Sequence, residues 1–292
     1  MIISLLRKVQ RRIFNVYCKY VFGLSLIGNN FESGNFKDED KRCAMYIITI
    51  AYNEENLIRK QIELVKRFIK DVDYHYVIVD NSTKKEKRKL IKNICQENGI
   101  EYVPIPRYID KLISTRWFWF GISHGAALNW MFHKFLIYRK PERFALLDHD
   151  IFPIKDCNLT EALGDRDFYG VKRDRGTGWY LWPGYSIFKF DVLSSREVNF
   201  LPMMVKGNFL DAGGANYQSL YKDYDIRDVA FAVDKTCRVR NTKGLIDVYH
   251  GDCIQIIDTS WLHIINGSNY AHVKGKEKSV AEIVENMEQW FD

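Results

Sequence analysis

The 292-residue sequence has no Cys-x-x-Cys pair, no glycine-rich phosphate loop and no uninterrupted run of about 20 apolar residues. Its six cysteines, at positions 18, 43, 95, 157, 237 and 253, are scattered. That spacing argues against a zinc ribbon or a disulfide framework and predicts reduced thiols in a cytosolic compartment. The missing apolar run excludes a spanning helix, and early cations spoil any secretory signal core. The first strand is followed by Asn53-Glu54-Glu55, where a dinucleotide fold would place glycines against a pyrophosphate. A Rossmann dehydrogenase or methyltransferase is therefore a poor fit. No internal repeat or low-complexity tract is present. What remains is an ordinary globular composition, 47% hydrophobic and 14% aromatic, enough for one sizeable core with extensions.

Acidic residues are missing from the first 31 positions. Lys and Arg number 43 against 37 acids, a net charge of +6, and Arg7, Lys8, Arg11, Arg12 and Lys19 account for nearly all of the excess. A nucleic-acid binder would spread its basic residues over a folded face, with a motif to match, so no nucleic-acid partner is expected. Residues 1–25 read as one basic amphipathic helix. At about 100° per residue, Ile2, Leu6, Val9, Ile13, Val16, Tyr20 and Leu24 form one stripe, with Lys8, Arg11, Arg12 and Lys19 opposite. Such a stripe either lies on an anionic membrane face or packs on the chain's own domain or a second subunit.

Residues 26–43 are polar and read as a linker. Thereafter apolar runs alternate with helical periodicity. Strands are expected at Met45 to Ala51, Tyr74 to Val79, Glu101 to Val103 and Phe144 to Leu147. Helices fall between them: one with Ile58, Ile62, Val65 and Ile69 in register, one over Lys84 to Glu97 stopped by Gly99, and one from Ser123 to Leu136. This order predicts a mostly parallel sheet with helices on both faces, and ligands at the carboxyl edge of its strands. The expected catalytic domain spans 44–272, divided into a donor half (44–150) and a second half (151–272), and 273–292 form a closing helix. Beyond 150, strands are expected at Phe168 to Val171 and Tyr185 to Phe190. Arg173 to Gly184 between them reads as a loop, whose Trp179, Tyr180 and Trp182 could serve as a lid or sugar platform.

The Phe144 run ends in Asp148-His149-Asp150. Two carboxylates one residue apart at a strand's carboxyl end suit a hard cation, Mg²⁺ or Mn²⁺, which shares its coordination with water and a ligand's phosphates. His149 points away from both acids on an extended backbone and reads as structural.

Taken together these pieces resemble GT-A fold glycosyltransferases, closest to the family 2-like group. Four segments carry the resemblance: Ile50-Ala51-Tyr52-Asn53-Glu54-Glu55, Val79-Asp80-Asn81-Ser82, Ser123 to Asn129, and Asp148-His149-Asp150. The resemblance implies a Rossmann-like, mostly parallel sheet with a smaller mixed sheet on the acceptor side. It also implies transfer of a sugar from a nucleotide-sugar donor to the hydroxyl of a saccharide or lipid-linked acceptor, with inversion. Tyr52, Glu54, Asp80, His124, Asn129 and Asp148 would border the nucleotide-sugar. Asp150, Asp148 and His263 would meet the metal, with His250 and His272 as competitors for the histidine's place. Asp211 would be the catalytic base, with Asp191 as the alternative. A cytoplasmic enzyme, peripheral on the membrane through residues 1–25, fits this reading. Two others stay open: a nucleotidyltransferase, which would be expected to carry a Gly- and Lys/Arg-rich first loop, and an inactive nucleotide-sugar-binding scaffold.

Overall fold

The computed structural model describes residues 2–28, 31, 44–109, 121–238, 253–269 and 272–290. The aromatic run Trp117 to Phe120, most of the 26–43 linker and His250 lie outside them. In chain order, α1 spans Ile2–Ser25, β1 Met45–Ala51, α2 Glu55–Phe68, β2 Tyr74–Asp80, α3 Lys85–Asn98 and β3 Glu101–Pro104. The helix α4 runs over Ile122–Met131 and continues through a π-helical turn, Phe132–Leu136, to Ile137–Arg139. Then come β4 (Arg143–Asp148), β5 (Ile151–Pro153), α5 (Leu159–Leu163), β6 (Phe168–Asp174), β7 (Trp179–Lys189) and α6 (Phe190–Ser194). The chain closes with β8 (Met203–Val205), β9 (Asn208–Leu210), α7 (Asn216–Ser219), β10 (Asp234–Arg238), β11 (Cys253–Ile257), β12 (Trp261–Ile264) and α8 (Lys276–Glu285).

Six strands form the main sheet in the order β3-β2-β1-β4-β7-β6. β1 to β4 are parallel, and β7 enters antiparallel beside β4. All seven residues of β1 are buried, as a strand covered on both faces requires. Its alternate side chains serve two cores. Tyr46, Ile48 and Ile50 pack with Ala126, Leu128 and Phe132 of α4 and with Phe14 and Val21 of α1. Met45, Ile47 and Ala51 pack with Ile58, Ile62 and Val65 of α2 and Ile91 and Ile94 of α3. The pleat thus turns one apolar run into a central layer with helices on both sides. Gly99 stops α3 in the left-handed conformation, at φ 67°, as its position in the sequence predicts.

Register brings the strand ends level. Ala51 pairs with Asp80 and Ile50 with Asp148, so the turns after β1, β2 and β4 open at one edge. A second, antiparallel sheet, β10-β11-β12-β5, grows directly from the Asp-x-Asp turn, because β5 begins one residue after Asp150.

Two expectations are corrected here. The segment over Arg173 to Gly184 is a β-hairpin rather than a loop: β6 runs on to Asp174, and β7 starts at Trp179. Trp179 and Tyr180 are consequently core residues, 6% and 2% exposed, and only Trp182 stays half-buried. Among the described residues, the stripe read from α1 packs on the domain only at its end, through Leu24. Phe14, Val21 and Leu24 are buried, with Tyr17, Cys18 and Phe22 beside them, whereas Val9, Ile13, Val16 and Tyr20 remain exposed. Apolar residues cover more than half of this helix's circumference, so periodicity alone could not say which arc meets the domain.

Candidate active site

Asp148 and Asp150 flank a turn that is held from three directions. Gln61, on α2 and fully buried, donates through Nε2 to the carbonyls of Asp148 (2.8 Å) and Ile151 (2.7 Å). The Tyr76 hydroxyl donates to Gln61 Oε1 at 2.9 Å and so fixes which way the amide points. His149 Nδ1 lies 3.1 Å from the Ile50 carbonyl, tying the turn to the end of β1. His149 itself lies on the turn, since β4 ends at Asp148, so the alternation expected of an extended backbone does not govern it. On the third side the Gly267 amide donates to Asp150 Oδ2 at 2.9 Å. A Cβ at position 267 would stand 2.6 Å from the Asp150 Cβ, so only glycine permits this approach.

Antiparallel pairing delivers His263 to the same place. It is opposite Ile151 across the β12–β5 pair and opposite Gln255 across β11–β12. Gln255 Nε2 donates to Asp234 Oδ2 (2.9 Å), and Arg173 donates to that same oxygen (2.9 Å). The amide is thereby oriented so that Oε1 faces His263 Nδ1 at 2.8 Å. Nδ1 therefore carries the ring proton, and Nε2 presents a lone pair. Trp182 packs on the imidazole at a centroid distance of 4.7 Å, with the Arg173 guanidinium over the indole at 5.1 Å.

His263 Nε2 stands 3.7 Å from Asp150 Oδ1. Burial lowers the His263 pKa to about 4 despite the pull of Asp150, so at neutral pH this contact is not an ion pair. Asp150 Oδ1 is buried and has no hydrogen-bond partner among the described residues. Two electron-pair donors thus face each other with no proton between them. Their separation is less than twice a metal–oxygen distance of about 2.1 Å, so the residues present fit a shared divalent cation. Among the described residues no three or more His, Cys, Asp or Glu side chains form a metal cluster. The protein offers a two-donor site, which leaves coordination positions for water and a ligand's phosphate oxygens.

Asp148 faces a different partner. Its Oδ1 lies 3.3 Å from His124 Nε2, on the first turn of α4. Burial, then the neighbouring Asp150 charge, raises the Asp148 carboxyl to about 7, and Asp211 adds to the rise. Burial holds His124 down at about 4, against the opposing charges of Asp211 and Asp150. Asp211 is itself raised by burial, while the Ala212 amide, which donates to its Oδ1 at 2.8 Å, and His124 pull it down. Gly121, at φ 89°, makes room for this carboxylate, since a side chain there would collide with Asp211 Oδ1. Asp148, Asp150, His124, His263 and Asp211 therefore share one neighbourhood. Glu54 lies at its border, raised by burial and in the field of His149, and Tyr52 is half-buried beside it in sequence.

Other expected contacts are turned inward. Asp80 is fully buried: its Oδ1 accepts from the Ser82 amide (2.8 Å) and its Oδ2 from the Tyr102 hydroxyl (2.7 Å). In this conformation it shapes the turn after β2, and its burial keeps it from the open edge where a ribose or base would lie. Asn129 is likewise buried, donating to Asn199 Oδ1 (3.0 Å) and accepting from the Phe200 amide (2.7 Å), which ties α4 to the 199–200 segment. Asp191 is exposed on α6 at the end of β7. That end pairs with Arg143, the start of β4, and so lies at the opposite edge of the sheet from Asp148. His272 is exposed on a loop. The sequence reading missed Gln61, Gln255 and Asp234. Gln61 had a signal, as a polar residue within the apolar face of α2; the other two had none, because β10 and β11 were not anticipated.

No protein-family model and no curated protein sequence matches this chain. Solved structures do. The chain is similar to glycosyltransferases. One is the galactosyltransferase LgtC in complex with donor and acceptor sugar analogues (17% identity, TM-score 0.36, covering 50% of this chain and 58% of that one). Another is the mannosyltransferase PcManGT from Pyrobaculum calidifontis in complex with GDP-Man and Mn²⁺ (14%, 0.36, covering 66% and 55%). A third is the mannosyltransferase Ktr4p from S. cerevisiae (12%, 0.35, covering 63% and 67%). The chain thus spans little more than half the length of the first two. Likeness at this level leaves the chemistry to the site's own residues.

Proposed function

We propose that this chain is a metal-dependent glycosyltransferase moving a sugar from a nucleotide-sugar to an acceptor hydroxyl. The observation that supports this best is the facing pair Asp150 Oδ1 and His263 Nε2, both without a proton between them, at the carboxyl edge of the sheet. Asp150 and His263 would hold Mn²⁺ or Mg²⁺; a neutral imidazole favours Mn²⁺. Such an ion supplies charge neutralisation of the departing nucleoside diphosphate. Asp148 would accept a hydrogen bond from ion-bound water or from a ribose hydroxyl. Tyr52 and Glu54, on the turn after β1, would line the nucleotide side. Asp211 is assigned as the base: its carboxylate takes the acceptor hydroxyl's proton as the oxygen bonds to the anomeric carbon and the carbon–phosphate oxygen bond breaks, with inversion. Burial raises the proton affinity of Asp211, which suits that task. Trp182, fixed between His263 and Arg173, would steady the imidazole beside the ion. A saccharide or lipid-linked acceptor at the cytoplasmic membrane face completes the reading.

The test is donor turnover. Incubation with Mn²⁺ and a panel of sugar nucleotides should release a nucleoside diphosphate from at least one donor, and chelation should stop it. Release of pyrophosphate instead would make the protein a nucleotidyltransferase. Saturable donor binding with no release from any donor would make it a binding scaffold.

A further inference from the structure

Five of the nine exposed large hydrophobic residues among the described residues fall on one short stretch of chain: Val9, Ile13, Val16, Tyr20 and Ile27. The first four stand at helical spacing on α1 and make a single file along its outer side; Val16 is 68% exposed. The same helix is fastened to the domain by a different arc. Phe14 meets the Phe209 ring edge-on at 6.0 Å, Phe22 meets His133 at 5.8 Å, and Cys18 Sγ contacts the Pro202 carbonyl at 3.8 Å. Val21 and Leu24 are buried in the same seam. The exposed file is therefore no misplaced core face. The seam is already filled, and the file is what remains.

We infer that this outer file is the docking surface for an anionic lipid bilayer, with α1 lying flat on the headgroup region. Charge decides between a bilayer and a protein partner. At 100° per residue Arg12 and Lys19, both exposed, border the file on the side away from the seam. No acid occurs before Glu32 to neutralise them. Two copies packed file to file would bring these cations against each other, because a two-fold interface is self-complementary only when its charges are. The file is also one residue wide, against the roughly 20–30 residues a side of a standard protein interface. An anionic surface answers both points. Aliphatic residues and a tyrosine enter the acyl boundary, while Arg12 and Lys19 reach phosphate groups on long stems. No helix among the described residues is long and apolar enough to cross a membrane, so α1 would lie on the surface. Its seam partner α4 carries His124, which gives the docked molecule a defined orientation of the candidate site. This inference does not depend on the transferase reading.

The test is flotation of the full chain with vesicles of phosphatidylcholine alone or mixed with phosphatidylglycerol, beside the double variant Ile13→Glu/Val16→Glu. Both positions are exposed, so the variant should keep its melting temperature. The wild type should float with the anionic vesicles and much less with the neutral ones. The double variant should bind at least about tenfold more weakly, the loss expected from two aliphatic side chains. Equal flotation of variant and wild type, or no flotation of either, overturns the inference. So does a concentration-dependent dimer that the double variant abolishes, which would give the file to a second copy.

Discussion

The turn after β2 and the turn after β4 flank the end of β1 at one edge of the sheet, and both carry aspartate. Asp80, at the first, has spent both oxygens on Ser82 and Tyr102. Asp150, at the second, keeps Oδ1 buried and unpartnered, 3.7 Å from an imidazole nitrogen that has no proton to offer. A strand-end carboxylate is thus not by itself a site. The discriminating property is an unmet demand in a place where leaving it unmet is costly. The aspartate of the first turn has its demands met, and that of the second does not.

Removing each acid should separate the two most sharply. Asp150→Ala strands one buried amide, that of Gly267, and should cost about 1 kcal/mol of stability, while lowering donor turnover by on the order of 10²–10³-fold, the scale of losing one charge-stabilising contact. Asp80→Ala strands the Tyr102 hydroxyl and the Ser82 amide and should cost about 3 kcal/mol of stability. Urea unfolding and single-donor kinetics on both variants check the pair. A stable Asp80 variant with dead chemistry would reverse the assignment of the two turns.

A middle-sized effect is expected one step behind the site. Gln255→Leu removes the acceptor that fixes the His263 tautomer and leaves Asp234 to Arg173 alone. Manganese affinity, read by titration calorimetry, should fall about 10–100-fold, as for other residues that orient a metal-binding histidine. Gln255→Glu keeps an acceptor for Nδ1 but sets a carboxylate oxygen against Asp234 Oδ2 where an amide donated, so it should recover only part of the loss. Unchanged affinity in the leucine variant would mean that Trp182 and the strand pairing alone orient the ring.

The contrast between the two turns also marks how far sequence reasoning reaches. Strands β1, β2 and β4 and helices α2 and α3 are legible because each is a local pattern: a β-branched run, a 3.6-residue period, a glycine stop. The Asp148-His149-Asp150 motif is legible for the same reason. That Asp80 turns inward is not, because it depends on Tyr102, a residue brought alongside by β3. The partnership of Asp150 with His263 spans more than a hundred residues and two sheets. The resemblance suggested it, and only the β12–β5 register explains it. The hairpin around Trp179 to Gly184 looked like a loop because glycine and proline are strong local breakers, and pairing with β6 overrode them. On α1 periodicity shows an amphipathic helix but leaves open which arc meets the domain; α4 and β8 choose it, and most of the stripe stays exposed.

The smallest effect is a pH dependence tied to Asp148 on the β4 turn. Asp148 titrates at about 7 in the folded protein, against 3.8 for an ordinary aspartate, chiefly through burial and then through Asp150. The folded state therefore holds this proton across a window in which the unfolded chain has released it. The stability it contributes is complete below the ordinary value and is lost as pH rises through about 7. Without added ion, the melting temperature of the wild type relative to Asp148→Asn should drift down between pH 5 and 7.5, the opposing contributions of the lowered His124 and His263 imidazoles being carried by both proteins. A divalent cation works in the opposite sense, because an ionised Asp148 beside Asp150 attracts it and a protonated one does not. The increase in melting temperature on adding Mn²⁺ should be small at pH 5 and grow across the same window, at about 2–4 °C per kcal/mol of binding energy for a chain of this size. Asp148→Asn should flatten the pH dependence of the Mn²⁺ increment, whereas Asp80→Asn, altering a group on the satisfied turn, should leave it in place. An increment independent of pH in the wild type would mean that the cation is held without help from Asp148, and the two acids of the motif would then have to be argued as separate sites.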